Sequence, residues 1–478
     1  MLIGGEWVGS DGGTFDVTNP ATGEVVGSVP NATAADVTRA IDAAQEAFAG
    51  WRALTGLERG RILRRSAQAI LEDAERIGGI MTDEQGKPLA EAKGEVAYAA
   101  SFLDWFAGEA ERVNGMTLPA QKADQRVLVL KQPVGVTAAI TPWNFPAAMM
   151  TRKLGPALAA GCPMIVKPAS ATPLTAIEIV KLMHEAGVPA GVVNVITSRR
   201  TADVSATLFG DARVRKISFT GSTEVGKDLI RASADQVKRL SLELGGHAPV
   251  VVYEDADLEL AVNETIASKY RNAGQTCVCA NRIYVQRPIH KQFVEMMTEK
   301  VKGMKVGPGR GDGVLIGPMI DGRGVEKAHE HVQDAVARGA QLLVGGNELT
   351  DGEFAGGHFY APTLLDNVTP EMLISHEETF GPVAGITPFD SEDEVIAAAN
   401  DTVYGLAAYF FTRDYARLLR TAERLEYGII GVNTGIISSA AAPFGGMKES
   451  GIGREGGPTG IDEYVDLKYV NIGGVGAP

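Results

Sequence analysis

The chain has 478 residues, a formal net charge of −14, 45% apolar and 22% charged residues, and three cysteines. That length calls for two or three domains, the acidic balance argues against nucleic acid as a partner, and three cysteines cannot build a disulfide framework. No apolar run reaches the roughly 20 residues that span a bilayer, no leader is visible at the start, and CxxC and HExxH are absent, so the expectation is a cytoplasmic protein without metal or membrane partner.

Residues 33–50 place Val37, Ile41, Ala44 and Phe48 on one helical face, with Thr33 and Asp36 spaced as a capping box. Residues 57–78 repeat the pattern with Leu63, Ala67, Ile70 and Leu71. Arg126 to Lys131 and Val134 to Thr141, separated by Gln132-Pro133, read as consecutive strands. Strand-like runs then appear at 135–141, 163–167, 191–197, 215–219 and 239–243, with helical segments near 147–160, 173–186, 201–209 and 223–233. That alternation predicts a parallel, doubly wound sheet. Residues 248–445 carry a second α/β alternation, with strands near 281–286, 383–389, 406–411 and 428–433. The tail after Gly460 alternates and reads as an added edge strand.

Ligands of an open parallel sheet bind beyond the carboxyl ends of its strands. Four polar or glycine-rich segments fall there: Thr141 to Pro146, Lys167-Pro168, Phe219 to Gly226, and Glu243 to Gly246. Gly221 to Gly226 sits between a strand and a helix, where small residues let backbone N–H groups approach a pyrophosphate; a plain strand-to-helix turn is the other reading. Cys277 lies in the loop Asn272 to Cys279. A lone cysteine is commonly core filler, but a loop rich in Gly and Asn is a poor place for filler. Cys279, two residues on, points elsewhere if the segment is extended, and Cys162 reads as core. Glu243 closes an apolar strand, either as an ion-pair partner or as a general base at the ligand edge. The seven histidines form no ligand set; His329 and His331 fall on different faces of a helix.

Assembled, these residues resemble the aldehyde dehydrogenase superfamily over nearly the whole chain. The resemblance is carried by Pro142 to Pro146, Lys167 to Ser170, Phe219 to Gly226, Leu242 to Gly246, Gly274 to Cys277, Glu378 to Pro382 and Pro443 to Gly446. It implies two doubly wound α/β domains plus a small β element for oligomerisation. The cofactor-binding domain would comprise residues 1–112 and 134–245, the catalytic domain 246–445, and the oligomerisation element 113–133 with 460–478. A homodimer or homotetramer is implied. Carried over by resemblance, Cys277 is the nucleophile and Asn144, with the Cys277 backbone N–H, holds the oxyanion. Glu243 activates the deacylating water. Trp143, Lys167, Ser170, Gly221, Ser222, Gly226, Glu378 and Phe380 are implied for the cofactor, NADP or NAD.

Within the superfamily the chain looks closest to succinate-semialdehyde dehydrogenase, through Thr151-Arg152-Lys153, Arg271 to Cys279 and Ile437-Ser438-Ser439. That implies Arg152, Arg271 and Ser438 on the substrate's distal carboxylate, with Phe444 also in the pocket. Two guanidiniums suit such a clamp; ion pairs to acidic neighbours are the other reading. The small residues Ala440 to Ala442 leave room for glutarate semialdehyde or broader aldehydes. Ser170 stands where NAD-selective relatives carry Glu, and Arg199-Arg200 follows the third strand, so one of these arginines is expected to bind a 2′-phosphate, two solvated arginines being the alternative. Cys277 and Cys279 also suggest a reducible disulfide. CoA-dependent thioester release, cysteine hydrolysis and a non-catalytic role are the rival readings. Glu243 disfavours the first, the want of a histidine partner the second, and the intact Cys277, Glu243 and Asn144 the third.

Overall fold

The computed structural model describes residues 1–476; the last two residues of the 460–478 segment lie outside the described residues. The five expected strands are Val136–Ile140, Met164–Lys167, Val193–Val195, Val214–Thr220 and Arg239–Glu243. They run parallel. Val136–Ile140 sits in the middle, the next two lie to one side of it and the last two to the other. The direction of winding therefore reverses between Val136–Ile140 and Val214–Thr220. One edge is finished by the antiparallel pair Leu2–Ile3, against Val195, and Glu6–Trp7 outside it, and the other by Gly451–Ile452, antiparallel to Leu242 and Glu243. Gly451–Ile452 was not legible, being two residues in a glycine-rich run.

The structure adds detail at three places. Arg126–Pro133 follows directly on the chain before Val136–Ile140 but belongs to another sheet, pairing with Met116–Leu118 and, over eight residues, with Val465–Ile472. Pro133 and the left-handed Gly135 (φ +124°) turn the chain between the two sheets. The 57–78 segment is two helices, Gly56–Glu72 and Ala74–Gln85, broken at Asp73. Leu89–Glu109 is a 21-residue helix that the sequence reading passed over. Its Ala, Val, Phe and Leu residues surround it on most sides, so it lacks the one-sided stripe that marks a surface helix. Both helix starts at Thr33 and Thr55 carry reciprocal capping boxes, with Asp36 and Glu58.

The second sheet has seven strands in the order Gln341–Val344, Thr363–Asp366, Val383–Phe389, Ala280–Gln286, Ala248–Val252, Ala407–Phe411 and Ile429–Val432. All but the first are parallel. Ala248–Val252, near its centre, was missed because Pro249 reads as a strand breaker. Thr363–Asp366 has only four residues. No described helix is long and apolar enough to cross a membrane.

Trp51 joins the first helix of the chain to the layer below. It is fully buried, and its indole N–H donates to the Leu158 carbonyl at 3.1 Å. Trp51→Ala leaves a cavity and removes one of the donors to the Leu158 carbonyl, which keeps the Gly161 N–H. It is expected to cost about 3–5 kcal/mol, read as a lower urea midpoint.

Candidate active site

A cleft of about 230 Å³ opens where the winding of the first sheet reverses. Its walls include Trp143 and Asn144, beyond the Val136–Ile140 strand, and Gly221 and Ser222, beyond Val214–Thr220. Cys277, Glu378 and Phe380 come from the second half of the chain and close the other wall. They lie at the amino ends of Ala280–Gln286 and Val383–Phe389, so the carboxyl edge of one sheet faces the amino edge of the other. Trp143 and Phe380 meet edge to face, with ring centroids 5.6 Å apart.

The loop before Cys277 is held in a conformation that side chains resist. Asn272, Ala273 and Gly274 are all left-handed, at φ of 52°, 54° and 74°, a strain of order 1–3 kcal/mol at each of the two non-glycine positions. Hydrogen bonds hold it there. The Asn272 amide donates to the Asn144 carbonyl at 3.0 Å, and the Asn272 backbone N–H donates to Glu91 at 2.8 Å. The Gln275 amide nitrogen donates to the Asn272 carbonyl, and its amide oxygen accepts from Ile320 N–H. Asn144 reaches the same loop, its side-chain amide donating to the Gln275 carbonyl at 3.1 Å. A Cβ on Gly274 would stand 2.1 Å from the Gly381 carbonyl oxygen, and one on Gly246 2.2 Å from the Cys277 carbonyl oxygen. Burial pushes the Cys277 thiol up to about 12. The Cys279 thiol is buried and donates to the Lys269 carbonyl at 3.3 Å, apart from the cleft. All three cysteines are free thiols.

Glu243 lies at the end of its strand, fully buried, and neither carboxylate oxygen has a hydrogen-bond partner among the described residues. Around it stand Arg152, Lys153 and Glu455, also buried. Glu455 accepts from Arg152 Nε at 2.7 Å and from Lys153, and Ser218 donates to it at 3.0 Å. Burial and the nearby Glu455 raise the Glu243 carboxyl well above the ordinary range. Burial alone would raise Glu455 too, but Lys153 and Arg152 hold it low, at about 2. Glu455 and Lys153 were not singled out in the sequence. Lys153 stood beside Arg152 in a quoted segment, whereas nothing local marks Glu455.

The substrate candidates divide. Arg271 and Ser438 line a second cavity, of about 330 Å³, whose wall includes Phe145. The Arg271 guanidinium lies over the Phe145 ring at 4.8 Å. Arg152 is not a free fork: Nε is taken by Glu455, Nη2 lies 2.9 Å from the Met149 sulfur, and only Nη1 is unclaimed. The guanidinium packs over the Phe444 ring at 4.1 Å. Gly226 is buried behind the cleft, where a Cβ would meet Leu244 at 2.5 Å, so it serves the packing of helix on strand. Ser170 is half-buried and does not line the cleft. Arg199 is exposed, lies over Phe15 at 4.9 Å and donates to the Asp16 carbonyl. Arg200 is exposed, with no side-chain partner among the described residues.

Residues 7–470 match the aldehyde dehydrogenase family. The chain belongs to that family. It is 54% identical to a glutarate-semialdehyde dehydrogenase of Pseudomonas putida, over 98% of this chain and 97% of the relative. It is 53% identical to the NADP+ succinate-semialdehyde dehydrogenase GabD of Escherichia coli, over 99% and 97%. The crystal structure of an aldehyde dehydrogenase from Brucella melitensis superposes with a TM-score of 0.96 at 55% identity, covering 99% of this chain and 96% of that one.

This aldehyde dehydrogenase chain has donors and acceptors suited to a dinucleotide. Lys167 is nearly buried with no carboxylate partner among the described residues, and burial lowers its ammonium to about 8. Burial raises Glu378 to about 8, and one of its oxygens accepts from the Gly246 N–H at 3.2 Å. Ser222 caps the Thr223–Ser233 helix, whose amino end faces the cleft.

Glu455→Gln removes the carboxylate that is ion-paired with both buried cations. It is expected to destabilise the chain by about 3–5 kcal/mol in urea unfolding.

Proposed function

We propose that this aldehyde dehydrogenase oxidises a short aldehyde bearing a carboxylate at its far end, succinate or glutarate semialdehyde, with NADP+ or NAD+. The observation that carries the reading is a cavity lined by Phe145, next in the chain to Asn144 of the Cys277 cleft, in which Lys87 is paired with Glu95 and Arg271 is free of any ion pair among the described residues. Relatives named for both semialdehydes support it, and the GabD relative is named for NADP+. Arg200 is the candidate for a 2′-phosphate, since Arg199 is engaged with Phe15 and Asp16.

Lys167 and Glu378 would hold the two riboses, Ser222 and the helix amino end the pyrophosphate, and Trp143 and Phe380 the flanks. When bound, the oxidised nicotinamide supplies a positive charge beside the thiol and the acceptor for a hydride. The Cys277 thiol loses its proton to solvent, the thiolate sulfur bonds to the aldehyde carbon, and the carbonyl oxygen becomes an oxyanion. Asn144 Nδ2 and the Cys277 N–H donate to that oxyanion; losing one such donor typically costs roughly 10²–10³ in rate. Departure of the hydride leaves a thioester on Cys277. Water attacks the thioester carbon, Glu243 takes the water's proton, and the thiolate leaves with release of the acid. Residues 1–112 and 134–245 would serve the cofactor and 246–445 the thiol. The three-stranded sheet of 113–133 and the C-terminal strand would join subunits of a dimer or tetramer.

The test is a matrix of both cofactors against succinate semialdehyde, glutarate semialdehyde and butanal, read at the nicotinamide absorbance. A strong preference for the semialdehydes is expected. Arg271→Ala is expected to raise KM for them by one to two orders of magnitude, as befits a lost charge-assisted contact, and to leave butanal nearly unchanged. Equal use of all three aldehydes by the wild type would overturn the assignment.

Glu243 gives a pH prediction. Its folded pKa lies above its unfolded value, so the buried carboxyl is favoured protonated, and its contribution to stability is lost as pH rises from the unfolded value through the folded one. Glu243→Gln is therefore expected to be more stable than wild type at neutral pH. It is also expected to accumulate thioester, visible by intact mass after one turnover. In the wild type, turnover rises with pH through an apparent pKa above the ordinary carboxylate range.

A further inference from the structure

The Leu89–Glu109 helix turns Glu91, Glu95 and Tyr98 toward the Arg271 cavity, at the spacings that share one helical face. Two of the three are engaged. Glu95 pairs with Lys87 and accepts from the Ala147 and Ala148 N–H groups, and Glu91 accepts from Asn272 N–H. Tyr98 is not. Its hydroxyl makes no hydrogen bond of full geometry among the described residues, although the Ser438 and Arg152 side chains stand near it.

Buried polar groups are nearly always paired in native structures. The groups that face this hydroxyl are Arg152, Arg271 and Ser438. Arg152 Nη1 is likewise buried and unpaired. Tyr98, Ser438 and the Arg271 guanidinium line one cavity, and Arg152, outside that lining, faces Tyr98. An anionic acceptor that satisfies them together completes the arrangement. The ring itself is rigidly placed, with its centroid 4.8 Å from that of Phe102.

We infer that Tyr98 is a specificity-determining residue, its hydroxyl donating to the distal anionic group of the substrate beside Arg271 and Ser438. The inference rests on the semialdehyde reading above and adds a residue and a reason for length selection. Arg271 has a long stem and follows a carboxylate that moves. A phenol fixed on a helix does not, so it rewards one distance between the aldehyde carbon and the anion. Tyr98→Phe removes one oxygen and keeps the ring on Phe102.

The experiment compares wild type and Tyr98→Phe with succinate semialdehyde, glutarate semialdehyde and butanal. kcat/KM for the preferred semialdehyde is expected to fall about tenfold or more, the loss of a hydrogen bond to a charged group, through KM with kcat little changed. The ratio between the two semialdehydes is expected to move toward one, and butanal to be unaffected. Inhibition of butanal oxidation by the dianion of the matching length, succinate or glutarate, gives a second readout without turnover of an anionic substrate, and its Ki is expected to rise by the same factor. Unchanged semialdehyde kinetics and Ki overturn the inference. So does an equal loss for butanal, which would mark Tyr98 as packing only. A wild type indifferent to the distal carboxylate overturns the parent reading, and that outcome is seen before any variant is made.

Discussion

Two cations buried side by side, Arg152 and Lys153, impose the constraint on which the rest of the site depends. They sit on the Ala148–Ala160 helix, whose start Glu95 fixes by accepting from Ala147 and Ala148 N–H. Burying two charges without compensation would cost more than a domain's whole stability, so the fold brings Glu455 to them from some 300 residues away. With Glu243 protonated the cluster of four carries one net positive charge; with Glu243 ionised it is neutral. Burial and Glu455 oppose ionisation, and the two cations favour it. A proposed base that sits between these opposed influences can both take and release a proton, which a salt-bridged carboxylate held at about 2, like Glu455, cannot.

The same segment gives Asn144 to the cleft and Phe145 to the cavity beyond it, so a shift of this helix start would move both sites together. Lys87 holds the Asn144 carbonyl at 2.7 Å, and Asn272 holds it from the other side. The loop carrying Cys277 is therefore anchored to the nucleotide-side sheet through backbone atoms, independent of the Asn144 amide. That separation leaves Asn144 Nδ2, which donates to Gln275, able to exchange that partner for an oxyanion without releasing the loop. The left-handed run at 272–274 persists because so many bonds over-determine it.

The first sheet was legible in the sequence because its five strands are apolar, buried on both faces and separated by helices of ordinary length. The cleft followed from it, since the loops after Val136–Ile140 and Val214–Thr220 must meet at the reversal of winding. What sequence could not give was pairing across long distances. Arg152 has the same sequence signature whether it awaits a substrate or is spent on Glu455, and only the arrival of the 451–455 segment at the edge of the sheet decides it. Gly226 carries two readings in the sequence for a related reason. A glycine near a phosphate-type turn and a glycine required for helix-on-strand packing look identical until the Leu244 side chain is seen beneath it.

With Arg152 largely spent, the proposed carboxylate pocket depends on one free cation assisted by neutral donors. Two unpaired guanidiniums in a half-buried cavity would repel each other whenever the pocket is vacant, and they would draw counterions that substrate must displace. Glu91, at the rim, offsets part of the remaining positive charge, and burial raises its carboxyl. Hydroxyls add nothing to that repulsion. They confer directional recognition while leaving the long-range attraction to Arg271. An arrangement of this kind distinguishes a charged aldehyde from an uncharged one through the guanidinium. It distinguishes one chain length from another through the fixed positions of the neutral donors, so the two selectivities reside in different atoms of the same pocket.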